Sequence, residues 1–228
     1  MERAALITGG SSGIGLAIGR MLRDEGYNLT LASRRPEKVE AAAKELGALA
    51  IAADLSDGID CARIVAEHSE RFGRLDVLVN SGGVGFGGTI EDLPLQQLDL
   101  MLGVNLRGLV LVTQAAIPLL RESHGSIVNL ASIGGTIPAP GLAVYGATKA
   151  AVIALTRSLN AELDQDGVRA TAICPGFVDT PMAAWTGLPA TEMIQPDDCA
   201  EIVRMLLRLS PRARVPQVVV ERLGSPTG

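Results

Sequence analysis

Tyr145 and Lys149 stand four residues apart in a stretch of helical period, in a chain that has only two tyrosines and three lysines. On a helix, side chains at i and i+4 share a face. A phenol, with an ordinary pKa of about 10, is a poor base at neutral pH, but a neighbouring ammonium favours its charged form. The pair is therefore expected to lower the Tyr145 pKa and make the phenol a general acid or base. A surface tyrosine lying over a lysine stem is the alternative. Ser132 ends an apolar run ahead of Tyr145, where its hydroxyl could donate to a substrate oxygen or simply cap a turn. Asn105 lies among Val104, Leu106 and Leu109, a helical setting that disfavours asparagine. It either has a purpose there or faces solvent.

A second chemical signal lies at the start. Thr8-Gly9-Gly10-Ser11-Ser12-Gly13-Ile14-Gly15 joins an apolar run to a helical pattern. Glycines allow a tight turn whose backbone N–H groups, with the positive end of the helix, can hold a pyrophosphate. The general GxGxxG fingerprint is not met, because its last position is Ile18. A strand-to-helix turn without a ligand is the alternative. About twenty residues further on, where an acid selects NAD and an arginine accepts a 2′-phosphate, the sequence reads Ser33-Arg34-Arg35. NADP(H) is the expected cofactor, with Arg34 as first contact and Arg35 as second, because a guanidinium pairs well with phosphate. A solvated basic pair at a helix start is the plainer reading.

These residues must be positioned by elements. Ala4–Thr8, Asn28–Ala32, Leu49–Ala53, Val77–Asn80, Ser126–Leu130 and Val168–Ile173 read as strands separated by helix-length segments. Apolar runs without polar alternation indicate strands buried on both faces, so a doubly wound parallel sheet in a single α/β domain over residues 1–228 is expected. Two long helices are predicted, about Leu95–Leu120 and about Val144–Asp164, the second ended by Gly167. Pro118 falls near the end of the first. Both carry apolar residues around much of their circumference, which predicts a homodimer or homotetramer packed through them.

Composition narrows the function. Twenty basic and 25 acidic residues give a net charge of -5 and offer nucleic acid no basic surface. Cys61, Cys174 and Cys199 are widely spaced and odd in number, so neither a disulfide framework nor a metal site is expected, and a reducing cytoplasm is. Met1-Glu2-Arg3 leads straight into an apolar run, and no 18 apolar residues run without interruption, so no leader and no membrane span are expected. His68 and His124 read as surface residues.

In combination, Thr8-Gly9-x-x-x-Gly13-Ile14-Gly15, Asp54-Leu55, Asn80-Ser81-Gly82-Gly83, Asn105, Ser132, Tyr145-x-x-x-Lys149 and Pro175-Gly176-x-Val178-x-Thr180 resemble the short-chain dehydrogenase/reductase family over about residues 4–182. The resemblance implies a Rossmann-like strand order 3-2-1-4-5-6, with Gln217–Val220 as a seventh strand. It implies that Tyr145 exchanges a proton with the substrate oxygen, that Lys149 tunes Tyr145 and holds the nicotinamide ribose, that Ser132 steadies the substrate, and that Asn105 supports a water-linked proton path. The cofactor set so implied is Gly9, Ser11, Ser12, Gly13, Ile14, Ser33, Arg34, Arg35, Asp54 by the adenine, Leu55, Asn80, Gly82, Tyr145, Lys149, Pro175, Gly176, Val178, and Thr180 by the carboxamide.

Two departures stand out. The usual Asn-Asn-Ala-Gly appears as Asn80-Ser81-Gly82-Gly83, and the usual Asp-Gly-Gly carboxyl end is replaced by Arg214–Val220. Ile133, Gly134, Val84, Phe177, Met182 and Trp185 are the expected pocket lining, suited to a neutral carbonyl or alcohol. Reduction of an acyl-carrier β-ketoacyl group is less favoured, as no basic cluster lies near the mouth. Same-fold dehydration or epimerisation, and a nicotinamide-sensing module without turnover, are the other classes; the last is disfavoured because every catalytic position is filled.

Overall fold

The computed structural model describes residues 2–225. Met1 lies outside them. Seven strands, β1 (Ala4–Thr8), β2 (Asn28–Ser33), β3 (Leu49–Ala52), β4 (Val77–Asn80), β5 (Ser126–Leu130), β6 (Arg169–Pro175) and β7 (Gln217–Val220), form one parallel sheet in the order 3-2-1-4-5-6-7. β1 and β4 are buried along their whole length because both faces are covered. Ile7 and Val79 join one core layer with α1 (Gly13–Asp24), α2 (Pro36–Leu46) and α7 (Pro196–Arg208). Leu6 and Leu78, one step along the pleat, join the other layer with α3 (Gly58–Phe72), α5 (Leu109–Ser123) and α6 (Ala143–Glu162). Consecutive apolar residues up to the terminal Thr8 and Asn80 thus serve two cores, each fully buried leucine or isoleucine contributing roughly 2–3 kcal/mol.

From β1 the sheet grows one way through β2 and β3 and the other way through β4 to β7. The connections leaving β1 and β4 therefore diverge, and a crevice opens at the carboxyl ends of these strands, where doubly wound folds bind ligands.

The first long helix departs from the uninterrupted Leu95–Leu120 expected from sequence. α4 (Leu95–Leu102) runs into a π-helical segment, Gly103–Gly108, and then into α5, which continues through Pro118 to Ser123. Packing against the loop after β3 explains the glycine that closes this segment, since a Cβ on Gly108 would lie 2.2 Å from the Leu55 carbonyl oxygen. The span Leu95–Ser123 is long and apolar enough to cross a bilayer, with a mean hydropathy of 1.6 over 18 residues, but 44% of that window is buried within the fold. Its α5 part packs into the core through Val112, Ala116 and Leu120. α6 ends at Glu162, two residues short of expectation, and Gly167 belongs to the turn that follows.

His68 corrects the sequence reading: it is fully buried on the inner face of α3. Its Nε2–H donates to the Arg74 carbonyl at 2.9 Å, and Nδ1 accepts from the Thr30 hydroxyl at 2.8 Å, so both ring nitrogens are satisfied as a neutral imidazole. Burial lowers its pKa. His124 is exposed, in a left-handed conformation at the end of α5.

Candidate active site

The glycine turn forms the floor of the crevice. Gly9, at φ +68°, donates its N–H to the Ala32 carbonyl at 2.8 Å, and a Cβ there would sit 2.8 Å from the Gly82 backbone after β4. A Cβ on Gly15 would come within 2.5 Å of the Gly9 carbonyl oxygen. Only glycine lets the turn, the start of α1 and the β4 loop approach so closely. Ser12, the residue before α1, makes no side-chain cap, and the first turn carries no acid. The positive helix end is left for a ligand, and a phosphate group fits it. A Cβ on Gly13 would lie 2.9 Å from the Thr180 side chain, and Ile14 packs with Val178 and Ile194, so the segment after β6 closes against the same turn.

At the end of β2 the Ser33 and Ser11 hydroxyls lie 2.8 Å apart. Arg34 and Arg35 are exposed, and among the described residues neither pairs with a carboxylate. Asp54 is turned partly inward, with Oδ1 accepting from the Ser56 N–H and hydroxyl at 2.8 and 2.7 Å. Leu55 packs beside Gly82.

The chemistry-bearing side chains meet at the end of β5. Ser132 follows the strand, its Oγ accepting from the Gly134 N–H at 3.2 Å. Two glycines that the sequence reading did not single out press this turn onto α6. A Cβ on Gly135 would lie 2.7 Å from the Lys149 and Ala150 backbone, and one on Gly146 would lie 2.6 Å from the Gly134 carbonyl. Their absence of side chains is what brings Ser132 against Tyr145. The Gly134-Gly135 doublet and the small residues between Tyr145 and Lys149 were the available signals.

Lys149 is buried, and its Nζ donates to the Leu130 carbonyl at 2.7 Å and lies 5.7 Å from the Tyr145 ring centre. Burial pulls its pKa down to about 8. The expected depression of the Tyr145 pKa is not found. Burial raises it, with the facing Ser132 hydroxyl pulling the other way. Loss of hydration penalises both charged forms here, so the phenol stays protonated and suited to donating.

Asn105 is buried rather than facing solvent, and its amide is fully engaged. Oδ1 accepts from the Val84 N–H at 2.8 Å, while Nδ2 donates to the Val84 carbonyl at 2.8 Å and to the Thr148 hydroxyl at 3.1 Å. The loop so held places Gly85 on the Tyr145 ring and Gly83 over Lys149 Nζ. Beneath lies a buried polar row. Asn80 Nδ2 donates to Thr113 Oγ1 and Asn129 Oδ1 at 3.0 and 2.9 Å, and Asn129 Nδ2 donates to Thr156 Oγ1 at 2.9 Å.

On the outer side, Pro175 ends β6, and Gly176 donates its N–H to the Val220 carbonyl at 2.8 Å. Phe177 and Trp185 form an edge-on pair 6.1 Å apart, Trp185 66% exposed and Met182 45%. Ile133 is half-buried in the turn after Ser132.

The chain matches the short chain dehydrogenase family model over residues 3–188. It is 38% identical over 225 residues to an uncharacterised oxidoreductase of Staphylococcus epidermidis, covering 96% of each chain. In structure it is similar to an alcohol dehydrogenase from the archaeon Thermococcus sibiricus complexed with 5-hydroxy-NADP (TM-score 0.92, 32% identity, 99% of each chain). It is similar also to a 3-ketoacyl-(acyl-carrier-protein) reductase from Brucella melitensis complexed with NADH (TM-score 0.88, 31% identity, 96% of each chain). With the sheet order and a match of this extent, the chain belongs to the short-chain dehydrogenase family. It is an oxidoreductase.

Proposed function

We propose that the protein is an NADPH-dependent oxidoreductase that interconverts a neutral carbonyl and its alcohol, with Tyr145 as general acid and base. One observation carries this reading: the Tyr145 phenol faces the Ser132 hydroxyl, with the buried Lys149 Nζ 5.7 Å from the Tyr145 ring centre. A bound nicotinamide supplies the hydride or takes it up. The protein supplies the rest. Tyr145 delivers the proton to the substrate oxygen, and Ser132 holds that oxygen by a hydrogen bond. Lys149, fixed by the Leu130 carbonyl, favours the phenolate left behind. The Asn105 amide, engaged with Val84 and Thr148, holds the loop over Tyr145.

The preference for NADPH rests on Arg34, seconded by Arg35, standing unpaired by any described carboxylate beside Ser11 and Ser33. Ile133, Phe177, Met182 and Trp185 favour an uncharged, apolar substrate. NADPH and NADH consumption with a panel of ketones, aldehydes and quinones tests both points. Faster turnover with NADPH on at least one neutral carbonyl is expected, whereas equal efficiency with NADH removes the basis for the cofactor assignment.

We also propose that α4 and α6 meet a second copy of the chain. An apolar groove of about 390 Å³ runs between them, bordered by Leu98, Leu102, Leu106, Val144 and Ala147, with Leu95 and Ile90 about 70% exposed beside it. Sedimentation at micromolar concentration should give a dimer or tetramer, and a monomer refutes the contact. The three cysteines are free and buried, which supports a reducing cytoplasm.

A further inference from the structure

Thr148 has no place in the chemistry described above, yet it is 2% exposed and its hydroxyl has two partners in the site. The hydroxyl donates to the Tyr145 carbonyl at 2.7 Å and accepts from Asn105 Nδ2 at 3.1 Å. The first contact alone is the ordinary back-bond of a helical threonine. The second is not. Asn105 sits in the π-helical segment and grips both main-chain polar groups of Val84, and the loop it holds lays Gly85 against the Tyr145 ring. A closed circuit results: Tyr145 main chain, Thr148 hydroxyl, Asn105 amide, Val84 main chain, Gly85, Tyr145 ring.

We propose that Thr148 is a positioning residue that couples α6 to the π-helical segment, so that the Tyr145 phenol is held from its backbone and from its ring face by one hydrogen-bonded bracket. This rests on the reading of Tyr145 as the proton donor. Without the Thr148 hydroxyl, Asn105 has a buried amide proton with no acceptor, which is unfavourable, and the amide must turn to find one. Turning releases Val84 and the loop over the ring. The phenol then samples positions away from the substrate oxygen, and loss of alignment lowers the chemical step more than binding.

The test compares Thr148→Ala with Thr148→Ser, which differ only in the hydroxyl. At saturating NADPH and a carbonyl substrate from the panel, Thr148→Ala is expected to lose about tenfold in kcat, with KM for NADPH within about twofold. Thr148→Ser is expected to keep at least about half of the wild-type kcat. If both variants match the wild type, or if serine is as impaired as alanine, the inference is overturned. Should Thr148→Ala fail to fold, Thr148→Val, which keeps the volume without the hydroxyl, takes its place with the same expectations. A double-mutant cycle with Asn105→Ala adds a second reading: the two losses should fall short of additive, because either change opens the same circuit. Full additivity overturns the coupling. Tyr145→Phe separates this from the wider reading. If Tyr145→Phe turns over normally, the proton-donor assignment fails. If it is inactive while Thr148→Ala is unaffected, only the bracket fails.

Discussion

The two ends of the crevice are built by opposite means. At the proposed cofactor end the surface is main chain: Gly9 and Gly15 pack backbone on backbone, and the start of α1 is left without a side-chain cap. At the proposed substrate end the surface is side chain: Phe177, in the loop after β6, and Met182 and Trp185, in the short helix Pro181–Thr186, stand 40–66% exposed. The first arrangement has no slack, because each added atom meets a backbone. The second can change residue by residue while the sheet beneath stays fixed. Tyr145, Ser132 and Lys149 lie between the two ends.

That contrast can be broken or sharpened by experiment. The largest effect is expected midway between the ends. Tyr145→Phe should lower kcat at least about 10³-fold while leaving the NADPH Kd within a few fold, because the hydroxyl serves the transition state rather than the cofactor. Fluorescence titration with NADPH beside steady-state assays separates the two. At the cofactor end, Arg34→Asp should weaken NADPH binding by about 30-fold and leave NADH binding nearly unchanged or improved, a difference direct titration reads. Gly9→Ala should cost about 2–4 kcal/mol of stability in denaturant unfolding, since a Cβ at φ +68° is strained and meets the Gly82 backbone.

A fourth expectation concerns pH. Lys149 has its pKa drawn down to about 8, so it carries its charge below that value and loses it as pH rises through it. Carbonyl reduction, which uses the ammonium to favour the departing proton's phenolate, should fall by up to about tenfold between pH 7 and 9, and a flat kcat profile over that range would remove Lys149 from this role. The smallest effect belongs to the substrate end. Trp185→Ala should raise KM for an apolar ketone by about three- to fivefold and leave Tm and NADPH affinity unchanged, because the indole covers no core. A large loss of stability in that variant would mean that the two ends are not built differently after all.

The strands were legible because burial on both faces leaves no polar alternation. β1, β4 and β5 have the boundaries expected from the apolar runs, β7 has those implied by the resemblance, and β2, β3 and β6 differ by one or two residues. The glycine turn and the Tyr145–Lys149 pair were legible because each is a local pattern. His68 and Asn105 were not, since a polar residue on a helix looks the same from sequence whether it meets solvent or a distant partner. His68 finds Thr30, and Asn105 finds Val84, each more than twenty residues away.

Sequence by itself determined the sheet, its order by resemblance, the glycine turn and the residue types available for proton transfer, because these follow from short-range periodicity and turn chemistry. Tertiary structure alone decided the protonation tendencies and the bracing. Burial, which no local pattern reports, reversed the expected shift of the Tyr145 phenol and drew Lys149 toward neutrality. The same packing turned Asn105 from a helix anomaly into the clasp between the π-helical segment, the glycine loop and α6.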